Sequence, residues 1–186
     1  MNKIIFTFFT ILILNGCAAT SDIGVKPKRI SSSIKASQFN EFASQYIERP
    51  TWVSYAEYQT IPNRLYIKFD GYGDGDSSSH FFMQDRADKY ISLIDKYIEW
   101  EAQATSRGDI LEKKEIGRVE SVGGVNIRFL FYSGNASSHF LIIDSGLLGS
   151  YDFAMTFNKS NVLELRKLFE DFKAGVISLP NIAIYN

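Results

Sequence analysis

The chain has little of the chemistry that proteins use to crosslink a fold or to hold a cofactor. It contains one cysteine, two histidines and four prolines in 186 residues. A single cysteine excludes a disulfide within the chain, so the stability of the folded part must come from its apolar core. Twenty Lys and Arg against 21 Asp and Glu give a formal charge of −1. This balance argues against a nucleic-acid-binding protein, because such proteins need a basic surface to displace counterions from phosphates.

Long hydrophobic runs are also missing, apart from one short stretch near the N-terminus. Met1-Asn2-Lys3 precedes a largely apolar run over residues 4–14, and polar sequence follows from Thr20 onward. A helix that crosses about 30 Å of hydrocarbon needs about 20 apolar residues, so this run is too short to span a bilayer. A basic start followed by a short apolar stretch is typical of a secretory signal.

The segment Leu14-Asn15-Gly16-Cys17 ends this stretch and contains the cysteine. It resembles the lipobox of bacterial lipoproteins, although Asn15 is larger and more polar than the usual residue. The resemblance covers the leader alone. It implies that residues 1–16 are removed as a lipoprotein signal peptide and that Cys17 becomes an acylated N-terminus, which anchors the protein stably on a membrane. Ala18, in place of Asp, implies the outer membrane, facing the periplasm. The alternative is an ordinary cleaved signal beside an incidental cysteine.

The sequence after the cysteine is poor in large apolar residues and predicts a flexible tether over residues 17–36. Its Lys26, Lys28 and Arg29 would lie near the lipid, where an anionic surface attracts basic side chains. A solvated linker without lipid contact is the alternative. Residues 37–186 suffice for one globular domain, to which 15 Phe and 10 Tyr contribute large apolar side chains.

The order of elements in this domain predicts an α+β fold. Apolar residues at three- and four-residue steps predict an amphipathic helix over residues 37–48, with Phe39, Phe42 and Tyr46 on its buried stripe. Two alternating segments around Ile61-Pro62-Asn63 predict a hairpin. We therefore expect an antiparallel β-meander sheet packed by helices.

Two further helices and a second group of strands complete the pattern. The longer helix is expected to be capped by Asp85 and to close at Arg107-Gly108. Four strands separated by glycine turns follow between residues 112 and 157. The last helix is predicted to start at Asn161 with Glu164 and to stop at Gly175.

The two halves of the domain share a weak internal repeat. Ile67-Lys68-Phe69 and Ser78-Ser79-His80-Phe81-Phe82 are echoed by Ile127-Arg128-Phe129 and Ser137-Ser138-His139-Phe140-Leu141. The repeat indicates two copies of a strand-strand-strand-helix unit that share one antiparallel sheet. Chance similarity between two hairpins explains the pattern equally well.

The repeat contains both histidines. Related copies would place His80 and His139 in equivalent positions, where they could form an acid/base pair. With carboxylates from Asp85, Asp144 or the glycine-rich loop at residues 70–76, they could instead form a Zn²⁺ site. The plainer interpretation is that each histidine is a partly exposed residue at the start of a strand. No Gly-x-Ser-x-Gly motif surrounds any serine, which argues against a serine hydrolase of that type.

A glycine- and aspartate-rich loop offers a second candidate metal site. Asp70, Asp74 and Asp76 are hard oxygen ligands of the kind that Ca²⁺ prefers. Their spacing does not match an EF-hand, so a hairpin loop is the preferred interpretation and weak Ca²⁺ binding the alternative.

The sequence thus predicts a membrane-anchored envelope lipoprotein that binds another envelope component, most simply a protein, without catalysis. No cofactor is expected apart from the covalent lipid on Cys17, and Ca²⁺ or Zn²⁺ is the alternative. The alternatives are a metal- or small-ligand-binding periplasmic protein and a hydrolase that uses His80 and His139. An apolar cavity of about 300 Å³ or more would favour the ligand carrier. Aromatic residues of the kind enriched at interfaces are concentrated in the first half of the domain, at Trp52, Tyr55, Tyr58, Tyr66 and Tyr72. Packing against the sheet is the preferred interpretation for any one of them.

Overall fold

The computed structural model describes residues 25–72, 77–145 and 154–180. Within these ranges the chain forms two antiparallel sheets and two α-helices, so the predicted α+β class is confirmed. The four-stranded sheet has the order β1-β4-β5-β6, and the six-stranded sheet has the order β3-β2-β10-β9-β8-β7. The strands are β1 (Lys28–Arg29), β2 (Ser37–Asn40), β3 (Gln45–Glu48), β4 (Thr51–Ala56), β5 (Arg64–Phe69), β6 (Ser78–Met83), β7 (Lys114–Glu120), β8 (Asn126–Asn135), β9 (Ser138–Asp144) and β10 (Met155–Phe157). The helices are α1 (Ala87–Arg107) and α2 (Lys159–Lys173).

Among the described residues, the four-stranded sheet buries one face in the core and carries partly exposed side chains on the other. Strand β5 alternates between buried Leu65, Ile67 and Phe69 and the outward-facing Tyr66 and Lys68, as expected of a strand with one face in the core. The predicted hairpin around residues 61–63 is confirmed, because β4 and β5 pair along their whole length.

The six-stranded sheet contains the predicted meander. Strands β7, β8, β9 and β10 follow one another as antiparallel neighbours, and β2 then pairs with β10. The turn between β9 and β10, which contains the predicted glycine turn at 146–149, lies outside the described residues.

One aromatic core joins the sheets and the helices. The Phe82 ring of β6 lies 4.9 Å from the Phe169 ring of α2, and Tyr90 of α1 stacks 6.2 Å from Phe129 of β8. All four side chains are fully buried. Aromatic pairs at these spacings add to the stabilisation that comes from apolar burial. The core is thus shared by the two sheets and does not divide the described chain into separate hydrophobic clusters.

The helix predicted over residues 37–48 is wrong. These residues form the β2–β3 hairpin, in which Phe39 pairs with Tyr46. The Asn40 side chain accepts a hydrogen bond from the backbone N–H of Ala43, and Ser44 takes a positive φ of 50°, so the turn competes with a helical backbone. Phe42 is fully exposed at the tip of the turn. Phe42 therefore belongs to the turn, and the three- and four-residue spacing of Phe39, Phe42 and Tyr46 does not mark the buried face of a helix.

The helix ends are partly as predicted. Gly108 closes α1 in the left-handed conformation at φ 68°, as expected. Asp85 lies in the 3₁₀ turn Gln84–Arg86 before the helix, and the N-cap residue of α1 is Arg86. Helix α2 starts before the predicted Asn161, because the Asn158 side chain caps it by accepting from the Asn161 N–H at 3.0 Å.

The domain also begins before residue 37. Lys28 and Arg29 pair with β4, and Ile34 and Ala36 belong to the hydrophobic core. Part of the predicted tether therefore belongs to the folded domain, because Ile34 and Ala36 pack in the core and β1 pairs with β4 of the four-stranded sheet.

The repeated segments do not share one sheet. The first hairpin lies in the four-stranded sheet and the second in the six-stranded sheet. Their registers differ as well, because Ile67 pairs with His80, whereas Ser133 and not Ile127 pairs with His139. A one-dimensional match of strand sequences does not define pairing, which depends on the turn and on the residues that must face the core.

Candidate functional site

The side of the four-stranded sheet that faces away from the core carries a mixture of aromatic and basic side chains. Period-two alternation and register place Trp52 beside Lys68, and Tyr66 beside Phe81. None of these side chains belongs to the buried core. We define the open face by the residues Arg29, Trp52, Tyr58, Arg64, Tyr66, Lys68 and Phe81.

Cations and rings alternate across the open face. The Arg29 guanidinium lies 5.6 Å from the Trp52 ring, and the Lys68 ammonium lies 6.0 Å from the same ring. The Arg64 guanidinium lies 4.8 Å from the Tyr58 ring. Such contacts hold the basic groups in place while they remain open to water on one side.

The aromatic residues of the open face contact one another. Tyr66 and Phe81 meet edge to face at 4.5 Å, and the Tyr58 and Tyr66 hydroxyls lie 3.3 Å apart. The hydrogen bond with Tyr66, followed by burial, raises the pKa of the Tyr58 phenol. Tyr58 therefore stays protonated at neutral pH and can donate a hydrogen bond.

A depression of 240 Å³ lies in this face, lined by Arg29, Trp52, Ser54, Tyr66, Lys68 and Asp70. Asp70 lies 3.2 Å from the Lys68 ammonium, and both side chains are about half exposed. An exposed ion pair of this kind is weak. A carboxylate on a partner could therefore compete with Asp70 for Lys68.

A second cavity lies where the four-stranded sheet meets the turn between β7 and β8. We call it the junction pocket; it measures 250 Å³ and is lined by Arg64, Ser79, His80, Phe81, Ser121, Val122, Val125, Ile127 and Ser145. The Ser121 hydroxyl donates a 2.6 Å hydrogen bond to the Phe81 carbonyl and ties the two walls together. His80 is 3% exposed, and the Arg64 Nε is a buried donor without a hydrogen-bond partner.

The second candidate histidine has different surroundings. His139 lies on β9 and pairs with Ser133 of β8. Its Nδ1 lies 2.9 Å from the Ser133 Oγ, and its ring lies 5.3 Å from the Phe131 ring. The Tyr97 hydroxyl donates to the His139 carbonyl at 3.0 Å. Both histidines are buried, which differs from the partly exposed positions expected of them. They belong to different sheets, and His139 does not line the junction pocket.

The candidate metal ligands are dispersed where the structure describes them. No group of three or more His, Cys, Asp or Glu side chains within the described ranges could hold a metal ion. Asp70 and Asp85 lie beside Lys68 and Arg86, respectively. Asp144 forms a bidentate pair with Arg128. Asp74 and Asp76 lie outside the described residues.

The size criterion for an apolar ligand carrier gives no clear support to that alternative. The junction pocket, at 250 Å³, is smaller than the usual ligand cavity. A larger depression of 540 Å³ is lined mainly by polar or charged residues, among them Lys35, Glu48 and Arg49.

Sequence reasoning missed Arg64 and Ser121. Arg64 has a signal in the sequence, because the alternation of β5 places it on the same face as Tyr66 and Lys68. Ser121 has none, since its role depends on the approach of the β7–β8 turn to β6.

Comparison with known proteins found no matching family model, no matching curated protein and no matching solved structure. In the part of the chain that the structure describes, neither helix is long and apolar enough to cross a bilayer.

Proposed function

We propose that this chain is a bacterial lipoprotein anchored by acylated Cys17 to the outer membrane, facing the periplasm, and that its open face binds an acidic surface of another envelope protein. The domain acts as a binding module and not as a catalyst. The observation that carries the proposal is the joint presence of aromatic and basic side chains on a sheet face that the core does not use.

The composition of the open face supports a protein partner. Trp, Tyr and Arg are the residue types that most often dominate binding energy at interfaces. Trp52, Tyr66 and Arg29 provide all three around one depression. Their mutual contacts limit their motion before binding, which lowers the entropy that association would cost.

The charge of the open face supports an acidic partner. Arg29, Arg64 and Lys68 are basic, and Asp70 is the acidic residue that lines the depression beside them. Complementary charge raises the association rate and disfavours basic partners. The chain as a whole is nearly neutral, so this local excess is a property of the face.

The short segment between Cys17 and β1 supports a site of action close to a membrane. Lys28, the first residue of β1, comes 11 residues after Cys17. A chain of this length spans at most about 40 Å when fully extended. An anchor at Cys17 would therefore keep the open face near the bilayer and would raise its effective concentration towards partners in the same layer.

Site-specific photo-crosslinking in intact cells tests this proposal. A benzophenone amino acid replaces Tyr66 on the open face in one strain and Leu163 in another. Leu163 is 48% exposed on α2 and lies outside the open face. We expect one defined product from position 66, with an acidic envelope protein, and no equivalent product from position 163.

Charge reversal supplies the matched control. Lys68→Glu should remove the product from position 66, whereas Lys167→Glu, a reversal at an exposed ion pair on α2, should leave it intact. The purified partner should then bind the wild-type chain, and Trp52→Ala should raise its Kd about tenfold or more. Products of equal yield from both positions, or a product insensitive to Lys68→Glu, would refute the open face as the binding surface.

A further inference from the structure

One wall of the junction pocket is the β7–β8 turn, whose shape is fixed by a hydrogen bond and glycine conformations within the turn itself. In the β7–β8 turn, the Ser121 N–H donates to the Val125 carbonyl at 2.6 Å, and Gly123 and Gly124 take positive φ values of 70° and 77°. Glycine adopts this conformation without steric cost. The Ser121 hydroxyl then fixes the turn to Phe81 of β6. The cavity is therefore formed by two linked parts of the fold and does not depend on a single loose loop.

The charge of this cavity is unbalanced. Arg64 lines it, and none of the described residues that line it is acidic. A guanidinium binds most strongly to an anionic oxygen, so the positive charge of Arg64 favours an anionic ligand at this cavity.

The remaining lining residues indicate which other chemical groups of a ligand the pocket could contact. Ser79, Ser121 and Ser145 carry hydroxyl groups, and His80 carries an imidazole. Phe81, Val122, Val125 and Ile127 form an apolar side. The pocket thus offers one cation, several neutral polar groups and a small apolar surface.

We propose that the junction pocket binds a carboxylate group attached to a short apolar body, with Arg64 as its ion partner. One cation balances one carboxylate, whereas a phosphate carries more charge and usually recruits several cationic or backbone donors. A volume of 250 Å³ admits a molecule the size of an amino or hydroxy acid. The same group could come from a free carboxylic acid or from the C-terminus of a polypeptide. This inference does not require the proposed partner on the open face, although Arg64 and Phe81 belong to both sites.

Isothermal titration calorimetry on the purified full chain in detergent tests the proposal with a matched pair of probes. N-acetyl-alanine carries the carboxylate, and N-acetyl-alanine amide has nearly the same size without the charge. We expect saturable binding of the acid, with a Kd of about 1 mM or tighter, and no saturable binding of the amide. Inorganic phosphate should not compete.

Variants assign the binding to the pocket. Arg64→Gln should weaken binding of the acid about tenfold or more, because it removes the charge. Arg29→Gln, on the open face but outside the pocket, should leave binding unchanged. Val125→Phe fills the cavity without altering Arg64, so it should abolish binding in a chain whose circular dichroism and Tm remain close to those of the wild type.

A second pair of probes distinguishes the source of the carboxylate. A tetrapeptide that ends in alanine is compared with the same peptide amidated at its C-terminus. Binding of the free peptide indicates a chain end, and binding of N-acetyl-alanine alone indicates a small acid; both results support a carboxylate site. Equal binding of acid and amide, tighter binding of phosphate, or binding of the acid that is unchanged by Arg64→Gln or by Val125→Phe would overturn the proposal. So would the absence of saturable binding by every carboxylate probe.

Discussion

The Arg128 guanidinium and the Asp144 carboxylate face each other across β8 and β9 and form two parallel N–H···O hydrogen bonds of 2.8 and 2.9 Å. The Asp144 side chain is 2% exposed and that of Arg128 is 28% exposed. Their neighbours in sequence, Ile127 and Ser145, line the junction pocket. The pair therefore fixes the register of β8 and β9 beside the pocket and connects the stability of the sheet with the shape of the cavity.

Removal of the acidic partner should destabilise the domain. Asp144→Asn leaves the Arg128 charge without its carboxylate in a partly buried site, and we expect the free energy of unfolding to fall by about 3 kcal/mol. Urea unfolding followed by circular dichroism measures this change. Asp88→Asn is the control, because the Lys173–Asp88 pair is exposed and should contribute at most about 1 kcal/mol. Equal effects of the two substitutions would contradict the structural role assigned to the Arg128–Asp144 pair.

Truncation of a side chain on α2 should lower the free energy of unfolding in proportion to the burial of that side chain. Phe169 of α2 is fully buried and contacts the rings of Phe82 and Tyr90, whereas Leu163 of the same helix is 48% exposed. Phe169→Ala should lower the free energy of unfolding by about 3 to 5 kcal/mol, because it leaves a cavity at the meeting point of the two sheets and the helices. Leu163→Ala should change it by less than about 1 kcal/mol. A small effect at Phe169 would show that the sheets do not share this core.

The left-handed cap of α1 gives a local test of the backbone. Gly108 has φ 68°, and its N–H supports the end of the helix by bonding to the Ala104 carbonyl. Gly108→Ala should lower the free energy of unfolding by about 1 kcal/mol, because a Cβ atom disfavours this conformation. Gly108→Asn should cost less, since asparagine tolerates it better. Equal stability of the two variants in urea would contradict the cap geometry.

Tyr46, which is partly buried, and Tyr97, which is fully buried, should make the domain sensitive to alkali. Burial, with a smaller contribution from Tyr132, raises the pKa of Tyr46 to about 12, and burial also raises the pKa of Tyr97. Unfolded tyrosines ionise near pH 10, so the unfolded chain loses these protons first. The stabilisation is therefore complete below about pH 10 and is lost as the pH rises towards 12. Ultraviolet titration of tyrosinate and urea unfolding at successive pH values measure the effect.

Tyr46→Phe provides the control for this pH dependence. The variant should lose less stability between about pH 10 and 12 than the wild type, because one of the protected phenols is absent. If every tyrosine of the folded chain ionised near pH 10, the burial of Tyr46 and Tyr97 would be contradicted.

The sequence predicted those elements whose pattern is strong and local. The spacing of Tyr90, Ile94 and Tyr97 fits only a helix, and Gly108 predicts where that helix ends. Helix α1 forms there. The segment with Phe39, Phe42 and Tyr46 admits two interpretations, and the turn at Asn40 decides between them. Strong periodicity thus identifies an element, whereas a short segment with a turn-forming residue does not.

The site depends on contacts between distant parts of the chain, and these leave little trace in the sequence. Alternation along β5 places Arg64, Tyr66 and Lys68 on one face, so these three of the seven residues of the open face could be inferred from the sequence. The junction pocket could not, because Arg64 and Ser121 come together only when the β7–β8 turn reaches β6. The histidine pair failed for a related reason: similar sequences around His80 and His139 have different registers in different sheets.

Attachment through Cys17 is tested most directly by mass spectrometry of the N-terminal peptide from the membrane fraction. We expect a peptide that begins at Cys17 and carries a diacylglyceryl group on its sulfur and an acyl chain on its amino group, and we expect Cys17→Ser to release the chain from the membrane. An unmodified Cys17 in a chain recovered from membranes, or membrane retention of the Cys17→Ser chain, would contradict the proposed anchor and the location that depends on it.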